Sequence, residues 1–130
     1  MASSTTRTVF VCDPDEDARA IIRAFFSARR YDVREMPTGQ DLLASVVQEQ
    51  PDAILLDLFI PDLNGWEMVA RLKSDPQTAN IPIIIASELS QEETGASLRD
   101  LFGWIQKPFS EAELAAVWAK AIQPRPTESS

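Results

Sequence analysis

Two runs of apolar residues constrain the fold most strongly. The segments "AILLD" (53–57) and "PIIIAS" (82–87) are apolar up to their last residue instead of alternating, which is typical of strands covered on both faces. Three further strand candidates lie at 8–12, 31–35 and 103–107, and a segment with helical character follows each of the five. This order predicts an α/β fold of (βα)₅ type with a doubly wound, five-stranded parallel sheet.

Each of the five predicted helices begins with a side chain that can cap it, followed three residues later by an acid that suits the first turn. The fourth helix, predicted over 90–102, contains Gly95 and a thin apolar stripe, so we expect it to be the least stable element. The pairs of cap and acid are Asp13 with Glu16, Thr38 with Asp41, Asn64 with Glu67, Ser90 with Glu93, and Ser110 with Glu113.

The chain length of 130 residues suits one domain with one core, which we place at 8–122. Residues 1–7 are predicted to be a disordered tail. Residues 123–130 contain two prolines and are predicted to be a second disordered tail or the start of a linker.

Charge and composition exclude several classes of function. A net charge of −8 repels phosphate backbones, so nucleic-acid binding by this domain is not expected. No segment approaches the roughly 18 to 20 apolar residues of a membrane span, so no membrane insertion is expected. The single cysteine, Cys12, falls within a strand as a structural thiol, which suits a cytoplasmic protein. The absence of histidine excludes Ser-His-Asp catalysis and histidine-ligated metals.

Polar side chains follow four of the predicted strands. Asp13, Asp57, Ser87 and Lys107 stand where the first, third, fourth and fifth strands end. Ligands of open parallel sheets bind beyond the carboxyl ends of the strands. The sequence therefore predicts one crevice that holds two carboxylates, a hydroxyl and an ammonium.

The segments "LLDLFIPDLNGWEM", "IPIIIAS" and "WIQKPFS" together resemble the signature segments of the response regulator receiver domain, the CheY-like family. The resemblance covers residues 8–122. It rests on the pattern D-x-x-x-P-x-x-N-G, a serine 30 residues after its aspartate, and K-P-F 20 residues after the serine. It implies a flavodoxin-like sheet with strand order 2-1-3-4-5, and it assigns Pro61 and Gly65 to the shaping of a loop.

The resemblance also implies roles for individual residues. Asp57 resembles the phosphoacceptor, Ser87 the switch hydroxyl, and Lys107 the lysine that pairs first with the aspartate and then with the phosphoryl group. In the family the bond that corresponds to Lys107-Pro108 is cis. Trp104 stands where the family has a tyrosine or phenylalanine that changes rotamer, and it is read either as a switch or as a fixed packing residue.

The family normally has two adjacent acids after the first strand, and here they correspond to Asp13 and Pro14. With Asp13 as the helix cap, Pro14 is predicted at the first helical position, where proline is tolerated. The implied Mg²⁺ ligands are Asp13, Asp57 and the backbone carbonyl of Phe59, and we expect weakened affinity. Either Asp13 coordinates the metal directly, or Asp15 reaches it through water from the rim.

Two apolar residues, Phe59 and Leu89, lie two positions beyond Asp57 and Ser87. We expect them to form a rim that shields an acyl phosphate from water.

The resemblance implies a two-component receiver that takes a phosphoryl group on Asp57 from a histidine kinase or a histidine phosphotransfer protein. Phosphotransfer and dephosphorylation would be self-catalysed, without turnover of a separate substrate. The signal would pass to a protein output partner through a conformational change, and homodimerisation on activation stays open. The alternative is a pseudo-receiver that acts as an interaction module without phosphorylation. Two other readings fit poorly. A dehalogenase-type hydrolase would need an acid at the position of Phe59. A dinucleotide-binding fold would need a G-x-G-x-x-G motif after the first strand, and this sequence has none there.

Overall fold

A computed structural model describes residues 7–95 and 101–121 of the chain. Its five parallel strands have the order β2-β1-β3-β4-β5, which confirms the predicted sheet. Each predicted strand boundary lies within one residue of the observed one. The elements are β1 Arg7–Cys12, α1 Glu16–Ala28, β2 Tyr31–Met36, α2 Gly39–Gln48, β3 Ala53–Asp57, α3 Gly65–Ser74, β4 Ile83–Ser87, α4 Gln91–Thr94, β5 Gly103–Gln106 and α5 Glu111–Ala121.

The sheet is buried on both faces, which explains the continuous apolar runs. Phe10 and Cys12 of β1 pack in the cluster that contains residues of α2 and α3. Val9 and Val11 point to the opposite face and pack with residues of α1 and α5. Burial raises the pKa of the Cys12 thiol to about 12, so this cysteine is the structural thiol that the sequence predicts.

Within the described residues, the fourth helix covers less of the chain than predicted. Helix α4 ends at Thr94 because Gly95 adopts a left-handed conformation (φ 70°) and its N–H caps the preceding turn. Leu101 and Phe102 are not helical either, although the prediction extended to 102. Most of the predicted tails and residues 96–100 lie outside the described residues. Within the described ranges, no helix has the length and apolar character needed to cross a bilayer.

The loop between β3 and α3 is fixed by backbone and side-chain contacts. The Gly65 N–H donates to the Leu58 carbonyl at 2.9 Å, and a Cβ at Gly65 would lie only 2.5 Å from the Leu58 Cα. Glycine is needed here for close approach to the chain's own backbone. Farther along the loop, Asp62 accepts from the N–H groups of Gly39 and Gln40 at 2.7 and 3.0 Å. The hydrogen bond from Gly39 holds the pKa of Asp62 below its usual range.

Candidate functional site

A crevice lies beyond the carboxyl ends of β1, β3 and β5. The Lys107 Nζ donates to Asp13 Oδ1 at 2.7 Å and to Asp57 Oδ2 at 2.5 Å. All three side chains are buried, with 5%, 1% and 9% of their surfaces exposed in the order Lys107, Asp13, Asp57. The structure therefore brings together three of the residues that the sequence assigns to one site. A cavity of about 320 Å³ adjoins them and is lined by Pro14, Asp15, Asp57, Phe59, Glu88 and Lys107.

The charges of the crevice depend on one another. Burial raises the pKa of Asp13 to about 6, against the hydrogen bonds from Lys107 and the Asp15 amide, which lower it. For Lys107, burial opposes the charged form, but the hydrogen bonds to Asp13 and Asp57 outweigh it and raise the pKa. The ammonium therefore stays charged at neutral pH and serves as the counter-charge for both carboxylates.

The start of α1 differs from the prediction. Asp15, not Asp13, caps this helix, and its Oδ1 accepts from the N–H groups of Asp17 and Ala18 at 3.0 and 3.4 Å. Asp13 contacts Lys107 instead, and its Oδ1 accepts from the Lys107 Nζ and from the Asp15 N–H at 2.9 Å. Pro14 consequently precedes the cap and lies within a turn. Proline is tolerated there because no hydrogen bond from its nitrogen is required.

One oxygen of the crevice lacks a partner. Asp13 Oδ2 is the only buried side-chain nitrogen or oxygen within residues 7–95 and 101–121 that makes no hydrogen bond. Nearby, Asp15 Oδ2 lies 3.7 Å from the Lys107 Nζ. In the described part of the chain, no group of three acids is spaced to hold a metal ion. The Lys107 ammonium contacts both Asp13 and Asp57. The carboxylate oxygens are of the kind that Mg²⁺ prefers, and an unpartnered buried oxygen suits a cation, so the donor set fits this ion.

The predicted rim residues lie on opposite loops. The Asp57 Oδ1 accepts from the Phe59 N–H at 2.7 Å, which turns the chain back immediately after β3. The Phe59 side chain projects outward and Phe59 is 64% exposed, whereas Leu89 is half-buried. Phe59 also lines the cavity beside Asp57, which places its backbone near the acids that the sequence assigns to the metal.

On the other side of the crevice, the loop after β4 is held by several hydrogen bonds. Ser87 is fully buried, and its Oγ accepts from the Leu89 N–H at 3.1 Å. The Leu89 carbonyl in turn accepts from the Trp104 Nε1 at 2.9 Å, and the Gln106 Nε2 donates to the Glu88 carbonyl at 3.0 Å. Trp104 is therefore hydrogen-bonded in place, which supports its reading as a fixed residue in this structure.

Sequence reasoning missed two contributors to this side. Gln106 lies two positions after Trp104 in β5, so both side chains leave the same face of the strand, and this spacing was the available signal. Trp66 is the other one, because its ring centroid lies 6.0 Å from that of Trp104.

Arg19 was also missed, and it holds the backbone of the acidic loop. Its Nη1 donates to the Asp13 carbonyl at 2.7 Å, and its Nε donates to Glu35 Oε1 at 3.0 Å. Arg23 donates to the other oxygen of Glu35, and this hydrogen bond holds the pKa of Glu35 below its usual range. The signal was the position of Arg19 one turn into the helix that follows the acids.

The family model described as "Response regulator receiver domain" matches residues 9–119. The chain belongs to the response regulator receiver family. Homologues in this family are two-component response regulators that signal by phosphorylation. Receiver domains generally bind Mg²⁺ at their acidic pocket, and they act with histidine kinases or phosphotransfer proteins and with output domains. The Lys107-Pro108 bond is cis, as the resemblance implies.

Curated relatives are longer than this chain. It is 32% identical over 112 residues to the phosphate regulon transcriptional regulatory protein PhoB of Pseudomonas aeruginosa, with 85% of this chain and 49% of PhoB covered. It is 30% identical over 115 residues to the response regulator PleD of Caulobacter vibrioides, with 83% of this chain and 24% of PleD covered. The chain thus spans about half or less of these two relatives. The solved structure of chemotaxis response regulator CheY4 of Vibrio cholerae superposes with a TM-score of 0.81 at 22% identity, covering 91% of this chain and all of CheY4.

Proposed function

We propose that Asp57 accepts a phosphoryl group from a histidine of a partner kinase or phosphotransfer protein. A carboxylate oxygen of Asp57 attacks phosphorus, and the bond from phosphorus to the histidine nitrogen breaks. Its electron pair stays on the imidazole, and an acyl phosphate forms on Asp57. The observation that carries this proposal is the buried contact of Asp57 with Lys107, itself shared with Asp13. The donor histidine lies outside these 130 residues, because they contain no histidine.

Lys107 and Ser87 serve the phosphoryl group in different ways. The Lys107 ammonium is a compact charge that moves its contact from the carboxylate to the added phosphoryl oxygens. The Ser87 hydroxyl donates its proton to a phosphoryl oxygen while still accepting from the Leu89 N–H, because a hydroxyl both donates and accepts. Ser87 follows Ala86, which pairs with Asp57 across β3 and β4, so the hydroxyl belongs to the neighbouring strand end.

Mg²⁺ is the cofactor that we assign to this reaction, and when bound it neutralises charge on the transferring phosphoryl group. Asp13, Asp57 and the backbone carbonyl of Phe59 are the residues that we assign to hold it. Pro14 offers no ligand where the family has an acid, so we expect affinity for Mg²⁺ below that of receivers that keep both acids.

We assign the receiver domain to residues 8–122, although β1 already begins at Arg7, and we expect a cytoplasmic location. Added charge at Asp57 would alter the loop after β4, and with it the surface formed by α4, β5 and α5. A protein output partner would recognise this surface. Homodimerisation of the activated chain is, in our proposal, a second way in which the signal is passed on.

The test is intact mass after incubation with acetyl phosphate, in Mg²⁺ and in EDTA, with Asp57→Asn as the control. A Mg²⁺-dependent gain of one phosphoryl group that the control lacks is the expected result. No gain at any Mg²⁺ concentration would overturn the proposal.

One observation favours the second candidate, a pseudo-receiver that binds its partner without phosphorylation. The loop after β4 is held by hydrogen bonds from Trp104 and Gln106, which are contacts of the chain with itself and do not involve a phosphoryl group. A chain of this kind would show the same partner affinity for the wild type, the acetyl-phosphate-treated protein and the Asp57→Asn variant. Our proposal predicts that treatment changes the affinity of the wild type alone.

A further inference from the structure

We propose that the Asp15 carboxylate takes the place of the acid that Pro14 displaces and is a direct ligand of the divalent cation. This inference rests on the proposed function for the crevice itself, and it assigns a third carboxylate, from an unusual position, to the bound ion.

The turn around Pro14 carries Asp15 back to the crevice. Asp13 Oδ1 accepts from the Asp15 N–H at 2.9 Å, so the chain folds over the proline and does not run outward from the strand. Asp15 then lines the same cavity as Asp57 and Phe59. An acid two positions after Asp13 thereby reaches the space where an acid one position after it is missing.

Three carboxylates of the crevice already share one cation, the ammonium of Lys107. Its Nζ lies 2.7 Å from Asp13, 2.5 Å from Asp57 and 3.7 Å from Asp15. With all four side chains ionised, the site has a net charge of −2. One divalent cation neutralises this charge, and a second lysine would not.

An independent observation comes from the buried oxygen of Asp13. Asp13 Oδ2 has no hydrogen-bond partner, and the Asp13 side chain is only 1% exposed. A buried carboxylate oxygen without a partner is costly unless a cation or water satisfies it. The unpartnered oxygen belongs to the carboxylate whose Oδ1 contacts Lys107, and Lys107 also contacts Asp57 and approaches Asp15.

The two oxygens of Asp15 have separate tasks. Oδ1 caps α1 by accepting from two backbone N–H groups, and this fixes the side chain in one orientation. Oδ2 is the oxygen that approaches Lys107, so it is held ready for a ligand with little further loss of conformational entropy. Glu16, by contrast, has a side chain that is 81% exposed and approaches Arg19.

Because Asp15 both caps α1 and carries a charge, one substitution can remove the charge and keep the cap. Asp15→Asn keeps an oxygen that can cap the helix, because asparagine and aspartate are comparable caps, but it removes the charge that a cation needs. Asp17→Asn is the matched control, because Asp17 is an exposed acid in the same helical turn. Pro14→Asp in the Asp15→Asn background is the rescue variant, because it restores an acid at the position where the family has one.

The experiment is isothermal titration of each full-length protein with MgCl₂, with thermal unfolding in EDTA to confirm the fold. We expect Asp15→Asn to raise the Kd for Mg²⁺ at least about tenfold, Asp17→Asn to raise it less than about threefold, and the rescue variant to recover most of the loss. Equal effects of Asp15→Asn and Asp17→Asn would overturn the inference, as would a wild type that binds no Mg²⁺.

Phosphorylation of the same samples separates this inference from the proposed function. Asp15→Asn should still gain a phosphoryl group from acetyl phosphate at saturating Mg²⁺, because Asp57 and Lys107 are unchanged. If the wild type binds Mg²⁺ through Asp15 but never gains the group, only the proposed function fails. If it gains the group while Asp15→Asn leaves the Kd unchanged, only the present inference fails.

Discussion

The two sides of the crevice are built in opposite ways. On the side of β1, three carboxylates face one ammonium, and an oxygen of Asp13 is buried without a hydrogen bond. On the side of β4 and β5, the loop carbonyls of Glu88 and Leu89 are each paired with a side chain from β5. In our proposal a divalent cation completes the first side, whereas the hydrogen bonds of the second side lie within the chain itself. We thus assign phosphotransfer to a region that needs a bound cation, and the output signal to a region that needs none.

The largest effect should come from breaking the acidic side. Lys107→Met removes the counter-charge of two buried carboxylates, so we expect the free energy of unfolding at pH 7 to fall by about 3 kcal/mol. Urea denaturation measures this, with Lys120→Met as the control because Lys120 is exposed on α5. Similar losses for the two variants would show that the shared ammonium adds no stability.

The rim residues compare the two sides directly, since Phe59 follows β3 and Leu89 follows β4. Phe59→Asn and Leu89→Glu should each shorten the half-life of the acyl phosphate, by roughly fivefold, because they admit and orient water near Asp57. The decay is followed by intact mass after removal of the phosphodonor. Val47→Asn is the matched control, since Val47 is an apolar residue of α2 that is 71% exposed. A half-life that changes no more than in this control would argue against shielding.

A third substitution tests whether the β4 side is fixed by its hydrogen bonds. Trp104→Phe removes the donor to the Leu89 carbonyl, so we expect a loss of about 1 kcal/mol in unfolding free energy and faster amide exchange at Leu89. Trp66→Phe leaves that hydrogen bond in place and should change exchange at Leu89 much less. Equal exchange in the two variants would assign the order of this loop to ring packing alone.

The smallest effect concerns the link between the β3–α3 loop and α2. The pKa of Asp62 is lowered in the folded chain by N–H groups of α2, so its stabilising contribution is present above the unfolded pKa of about 4. That contribution is lost as the pH falls through the folded value. Asp62→Asn should therefore be less stable than the wild type at neutral pH, and the difference should shrink in acid. Thermal unfolding across this range measures it, and a difference that does not vary with pH would contradict the assignment.

The sequence predicts the strands and the sheet well, because both faces of each inner strand are buried and the pattern of apolar residues is local. The meeting of Asp13, Asp57 and Lys107 was predictable for a related reason, since the ends of parallel strands lie at one edge. Local sequence did not decide which acid caps α1. Asp13 and Asp15 are both suitable caps, and the choice depends on Lys107, which occupies Asp13 from 94 residues away.

Other features were hidden because they depend on backbone groups in loops. The bonds from Trp104 and Gln106 end on carbonyls whose positions are set by the path of the loop after β4. The early end of α4 depends on the backbone conformation of Gly95, which a helical pattern with one glycine does not reveal. Arg19 likewise contacts a carbonyl, and a pattern of side chains does not predict that contact.

The long sequence separation within the crevice also sets the order in which a growing chain can finish it. Asp13 and Asp57 are synthesised before their counter-charge, which lies 94 and 50 residues later in the sequence. A nascent chain that ends before β5 therefore carries two acids at the end of its central strands with no lysine to neutralise them. Docking of β5 at the edge of the sheet adds the last strand and brings that charge to the crevice. Neutralisation of the acidic pair is thus a late event that depends on a nearly complete chain.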